Sequence, residues 1–221
     1  MIFFCRKCLT PNTRPRIVFN NKKICNACVN AKQKLVVNWK TRKKQFLDII
    51  KKIKRNTKQN QNKYDCIVPW SGGKDSSSIA LKLKFEFGLN PLLVTFSPLI
   101  PNQVGQDNRE EILKLGFDNI FFRPNQKISR YLSLRFLTER GNPKVAWDAG
   151  VNSLPVQVAI NYNIPYIFYA EHGESEYGGL VLSKKNLIYR DSREVIEHQV
   201  GDHPENWIDK TVTKNDLTPY I

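Results

Sequence analysis

Ser71, Gly72, Gly73, Lys74, Asp75, Ser76 and Ser77 stand in succession between an apolar run and a helical pattern. Together they supply what a nucleotide phosphate needs. Gly72 and Gly73 lack a Cβ, so they reach positive φ and let backbone N–H groups approach a ligand closely. Asp75 or a neighbouring serine can cap the following helix, whose free N–H groups and positive dipole end attract an anion. Lys74 adds a compact charge, the serines add hydroxyl donors, and Asp75 offers the oxygen ligands Mg2+ prefers. Two common phosphate loops do not fit. A Walker A loop would place glycine at Val68, and no G-x-G-x-x-G fingerprint is present. A polar strand-to-helix turn without a ligand is the competing reading.

A second cluster lies at the start of the chain. Cys5 and Cys8 form one C-x-x-C pair, and Cys25 and Cys28 form another sixteen residues later, within zinc-ribbon spacing. Four thiolates match tetrahedral Zn2+, and a closed four-cysteine site is architectural because it leaves no position for substrate. Two disulfides or an iron–sulfur cluster are the alternatives, the former disfavoured in a cytoplasmic setting. Pro11, Asn12, Pro15 and the Asn20–Asn21 pair supply turns, and Ile17, Val18 and Phe19 read as a short strand. Cys66 stands apart inside an apolar run and reads as a core residue.

These groups need a frame. Cys66, Ile67, Val68, Pro69 and Trp70 read as a buried strand, and Ile79, Leu81, Leu83, Phe85 and Phe87 lie on a helix that Gly88 ends. Residues 91–96 form a second strand. Asp107 is expected to cap a helix with Glu110 in the capping-box position, and Gly116 to stop it. Further elements are a third strand over 119–122, a helix around 128–139, another after Pro155, and a fourth strand over 166–169. This alternation predicts an α/β fold with a doubly wound, mainly parallel sheet, whose ligands sit beyond the strand C-termini. Upstream, Trp39, Lys43, Phe46, Ile50 and Ile53 mark one face of a helix over 38–54, with Leu47 and Ile49 broadening it. The polar stretch 56–62 reads as a linker. The expected domains are a cysteine module over 1–37, a basic helix and linker over 38–63, and the catalytic domain over 64–221.

With 221 residues and a hydrophobic fraction of 41%, the chain can bury one medium α/β core plus an appendage. Its net charge is +15 and its pI about 9.7. Much of the excess falls between Lys32 and Lys63, opposed only by Asp48. Such a segment suits RNA, an anionic membrane, a sugar nucleotide or an acidic partner, or is a solvated helix face. No apolar run approaches the roughly 18 residues needed for a membrane span, and no signal-like core precedes Arg6. A cytoplasmic location is expected.

Strand ends supply the remaining candidates. Thr95, Phe96 and Ser97 could border adenine and ribose, with Phe96 alternatively core. Arg109 could pair with phosphate, or be a surface arginine. Glu171, His172, Glu174 and Glu176, followed by Gly178 and Gly179, could hold Mg2+ or orient a nucleophile, or form a polar surface loop.

Ser-Gly-Gly-Lys-Asp-Ser resembles the PP-loop of ATP pyrophosphatases. Combined with the four-cysteine head, the Tyr64–Pro69 run, the Gly88–Phe96 run and Glu176-Tyr177-Gly178-Gly179, it resembles the N-acetyl sugar amidotransferase family of surface-polysaccharide, including lipopolysaccharide, biosynthesis. The resemblance implies a PP-loop (adenine nucleotide alpha hydrolase-like) domain with a zinc-ribbon-like module. It also implies conversion of an acetamido group on a nucleotide-linked sugar to acetamidino, through an adenylated amide attacked by ammonia. ATP would be bound by Ser71, Gly72, Gly73, Lys74, Asp75, Ser76, Ser77, Thr95 and Phe96, with Asp75 on Mg2+. Lys74, Asp75, Glu171 and Glu176 would act at the reacting end, and Cys5, Cys8, Cys25 and Cys28 would hold structural Zn2+. Ammonia would come from a separate glutaminase with its ammonia-conducting synthase. Family members continue beyond the length seen here, so the family's C-terminal part is expected to be missing. The alternatives are a tRNA-thiolating PP-loop enzyme, for which nucleic acid would be the partner, and a non-catalytic nucleotide-binding scaffold.

Overall fold

The structure is a computed structural model that describes residues 1–14, 17–171, 195–196 and 200–221. The chain divides into two compact units, Met1–Asp48 with Glu171–Glu194, and Ile49–Ala170 with Val195–Ile221. Among the described residues, no helix is long and apolar enough to cross a membrane.

In the first unit, single antiparallel bridges join Phe4 to Pro11 and Phe19 to Cys25. The strand expected over 17–19 therefore reduces to one paired residue. The cause is Asn20, whose side chain accepts from the N–H groups of Lys22 and Ile24 at 3.0 Å each and turns the chain at once. Helix α1, Asn26–Lys34, follows directly from Cys25 and carries Cys28 in its first turn.

Helix α2 runs from Trp39 to Gln59, five residues beyond the expected end. Residues 56–59 are thus helical instead of linker. Thr57 Oγ1 donates to the Ile53 carbonyl and Asn60 Nδ2 to Asn56 Oδ1, both spanning one turn. The helix gives out where Gln61 takes φ +53°. Only Ile50 and Ile53 of the expected stripe are buried, and Trp39 is exposed.

The second unit is α/β, built on a small sheet of three parallel strands in the order β1 (Cys66–Pro69), β2 (Pro91–Phe96), β3 (Asp118–Phe122). Ile67 pairs with Leu92, and Val94 with Ile120. Ile67, Leu92, Val94 and Phe96 share the face that packs with α5 (Gln126–Arg140) and α6 (Val145–Asn161). The opposite set, Cys66, Val68 and Leu93, is equally buried. Burial on both faces explains the unbroken apolar run of β2, since a covered parallel strand has no polar side.

The fourth expected strand is present only as a bridge from Ile167 to Ile67. Ile67 N–H donates to the Tyr166 carbonyl and Phe168 N–H to the Ile67 carbonyl, each at 2.8 Å. The next residue of β1 facing that side is Pro69, which has no N–H to extend the ladder.

Two helix starts also differ from expectation. Helix α4, Gln103–Leu113, is capped by Asn102, whose Oδ1 accepts from Gly105 N–H at 2.7 Å. Asp107 is inside the helix and accepts from Gln103 Nε2. Helix α6 begins ten residues before Pro155, which it contains. Its buried positions, from Val145 through Gly150 to Ala159, leave too little polar surface to show a helical period. The close approach of α6 to the sheet depends on Gly150, because a Cβ there would lie 2.3 Å from the Phe96 ring. Gly150→Ala is expected to cost about 1–3 kcal/mol, seen as a lower urea midpoint at constant m. An unchanged midpoint would mean that ring and helix separate freely.

Candidate nucleotide and metal sites

The turn from β1 into α3 (Lys74–Leu81) places the glycine-rich loop beyond the C-terminal end of its strand. Gly72 has φ +82°, a region that excludes most side chains. The expected side-chain cap is not formed by Asp75: Gly73 is the N-cap, and Asp75 lies in the first turn. The serines brace the loop instead. Ser71 Oγ accepts from Gly73 N–H at 3.2 Å, and Ser76 Oγ donates to the Gly73 carbonyl at 3.3 Å. Ser77 is buried beneath, accepting from the Trp70 indole N–H at 2.9 Å.

This bracing leaves the outer groups open. Lys74 and Asp75 are exposed, and the first-turn N–H groups of α3 have no intrahelical acceptor. Arg109 of α4 stands over the loop, its Cγ 2.6 Å and its Cδ 3.3 Å from where a Cβ on Gly72 would be. Its guanidinium is stacked 4.4 Å above the Phe121 ring. A cation is thereby held beside Gly72 by an aromatic face, with no carboxylate partner among the described residues. The arginine that sequence left between phosphate ligand and surface residue belongs to the loop, and only the tertiary approach of α4 reveals it.

Thr95 and Phe96 end β2 and are buried. Thr95 Oγ1 donates to the Trp70 carbonyl at 2.7 Å and accepts from Asn119 Nδ2 at 3.1 Å. That hydroxyl links β2 to the residue after β1 and to β3, and its one proton is committed to the Trp70 carbonyl. Phe96 is in the core cluster, its ring 5.6 Å from that of Phe122. Glu171 is exposed at the end of the long described run. His172, Glu174, Glu176, Gly178 and Gly179 lie outside the described residues.

Cys5, Cys8, Cys25 and Cys28 converge, with their sulfurs within 4.8 Å of one another. The Cys8–Cys25 pair is 3.5 Å apart and the Cys5–Cys28 pair 4.0 Å. These separations are about twice a disulfide bond, and close to the edge of a tetrahedron with metal–sulfur bonds of about 2.3 Å. Lys7 and Cys25 N–H groups donate to Cys5 Sγ at 3.4 and 3.3 Å. Burial opposes ionisation of Cys5, but donors from Cys25, Lys7 and Cys8 bring it down to about 6. Burial and the neighbouring sulfurs push Cys28 up to about 12. Four such groups ionise together only around a cation, so the donor set fits a metal such as Zn2+. Cys66 is different: burial, then the Asp65 charge, pushes its thiol up to about 12, which suits a core residue and not a nucleophile.

No family model matches the sequence. A segment of 91 residues is 37% identical to an uncharacterized protein of Methanocaldococcus jannaschii, covering 41% of this chain and 31% of that protein. The chain therefore spans under a third of that relative. Among solved structures, a predicted subunit of tRNA methyltransferase from the same organism aligns with 61% of this chain and 63% of its own, at 20% identity and a TM-score of 0.35.

Proposed function

We propose that the chain is a PP-loop enzyme that splits ATP to AMP and pyrophosphate, and uses the adenylate to convert an acetamido group of a nucleotide-linked sugar to acetamidino. The observation that carries this reading is the exposed loop after β1, where Arg109 stands over Gly72 and the open first turn of α3 carries Lys74 and Asp75. In the first step the amide oxygen attacks the α-phosphorus and pyrophosphate leaves. In the second, ammonia adds to the amide carbon, AMP departs with the original oxygen, and a proton is lost. Lys74, Arg109 and the loop N–H groups neutralise phosphate charge and hold the reacting atoms together. Asp75 would hold Mg2+, which would supply further positive charge against the phosphates. The cysteines of the chain are committed to metal or core, which leaves no thiol for a glutaminase of its own, and the family resemblance implies a separate glutaminase and ammonia-conducting synthase as the nitrogen source.

RNA modification is the second reading. Its support is α2, which carries nine lysines and arginines against Asp48, a charge pattern suited to a phosphate backbone. Purified chain with Mg2+-ATP and ammonium, scanned against nucleotide-linked N-acetyl sugars, is expected to release AMP and yield a product about one mass unit lighter. Release only with tRNA and a sulfur donor would select the RNA reading. ATP binding without release under either condition would select a scaffold.

A further inference from the structure

Beyond the C-terminal ends of β2 and β3 lies an open cleft of about 440 Å³, solvent mouth included. It is lined by Phe96 at the end of β2 and residues 97–99 after it, by Arg123 and Pro124 after β3, by α5 and by the start of α6. We propose that this cleft binds the second, phosphate-bearing co-substrate, separately from the nucleotide phosphates on the loop after β1. The proposal rests on the ATP-using reading and adds to it the seat and chemical class of the partner molecule.

Charge is the first observation. Arg123 and Arg130 both line the cleft, and no lining residue is acidic. With the Gln126 amide turned so that its oxygen faces Arg123, that oxygen accepts from Nη2 at 2.6 Å and from Nε at 2.8 Å. Among the described residues neither arginine has a carboxylate partner. Both arginines are exposed at the cleft mouth, where two guanidinium groups with planar forks suit a phosphate.

The second observation is polar. Among the described residues Ser133 Oγ and Trp147 Nε1 are buried without a hydrogen-bond partner, and both residues line this cleft. Buried donors left unpaired are costly, and a turn of either side chain toward the cleft would offer its donor to the acceptor oxygens or ring nitrogens of a ligand. The remaining wall is apolar and aromatic, formed by Phe96, Leu99, Trp147 and Tyr220. Charge, orphan donors and flat apolar wall together describe a phosphorylated molecule with a planar or sugar moiety.

A bare adenosine would not need the arginines. The triphosphate of ATP already has Lys74, Arg109 and the amides of the α3 turn. Adjacent parallel strands are about 4.8 Å apart, so a ligand across the ends of β2 and β3 can meet one held at the end of β1.

Isothermal titration of the full chain with UDP-N-acetylglucosamine and with inorganic pyrophosphate, each with and without a saturating non-hydrolysable Mg2+-ATP analogue, tests the proposal. At least one probe is expected to bind alongside the analogue. Its affinity should fall at least tenfold in Arg123→Ala/Arg130→Ala, while ATP-analogue affinity changes less than twofold. Trp147→Phe should weaken UDP-N-acetylglucosamine with the shape of the wall kept. Competition with the analogue, equal loss of both ligands, or no arginine-dependent binding of either probe would overturn it. So would binding of bulk tRNA, but of neither probe, that depends on these arginines. Arginine-dependent probe binding without any AMP formation would keep the cleft and sink the enzyme reading.

Discussion

Cys25→Ser is expected to abolish stoichiometric zinc binding and to unfold the first unit. Of the described residues between Met1 and Asp48, only Cys5 and Cys25 are buried, and α1 buries none of its side chains. Among the described residues of this unit there is accordingly no apolar core to fall back on when the metal is lost. Structural zinc in small peptides contributes about 10–16 kcal/mol, comparable with the whole stability of an ordinary domain, about 5–15 kcal/mol. Zinc content by mass spectrometry and protease sensitivity of residues 1–34 would be read together. Full zinc occupancy in the variant, or unchanged protection after chelation, would refute a structural site. Iron in place of zinc, with thiolate-to-iron absorption, would change the metal but not the argument. Acid should act in the same direction. Metal binding needs all four sulfurs ionised, so their proton affinities are depressed in the loaded state, and the stabilisation is lost as pH falls.

What the sequence made legible follows from range. The two C-x-x-C pairs, β2 and the turn from β1 into the glycine loop are each encoded within a few residues, and local pattern suffices for them. Four departures arose where tertiary structure decided. Pro69 limited the expected fourth strand to one bridge, and Asn102 took the cap that the Asp107–Glu110 spacing suggested. Helix α6 had too little exposed polar surface to advertise its start. The last case is the segment 204–221, for which no element was expected. Trp207, Leu217 and Tyr220 there lie in the core cluster with Phe96 and Phe136. Their short 3-10 turns lack a period long enough to detect, and their role comes from contacts across more than sixty residues, such as Ser129 Oγ with Tyr220 OH at 3.2 Å. The candidate site divides in the same way. Lys74 and Asp75 could be named from the motif, whereas the position of Arg109 over Gly72 required α4 and β3 to be packed.

Gly72→Ala is expected to weaken ATP binding more than tenfold while leaving the fold largely intact. An alanine at φ +82° is strained by about 1–2 kcal/mol from its backbone alone. Its methyl group would also sit 2.6 Å from Arg109 Cγ, well inside contact distance. Relief requires either that the loop twist, which redirects its N–H groups, or that Arg109 leave the Phe121 ring and withdraw its charge. Both movements would withdraw groups proposed to hold the phosphates, and each factor of ten in Kd corresponds to about 1.4 kcal/mol. A double-mutant cycle separates the two routes. If the clash dominates, Gly72→Ala should cost less affinity in an Arg109→Ala background than in the native chain, because the obstructing side chain is gone. If backbone strain dominates, the two losses should add. Unaltered ATP affinity in both single variants would show that neither the loop conformation nor the stacked guanidinium takes part in nucleotide binding, and the phosphate assignment of the loop would fall with it.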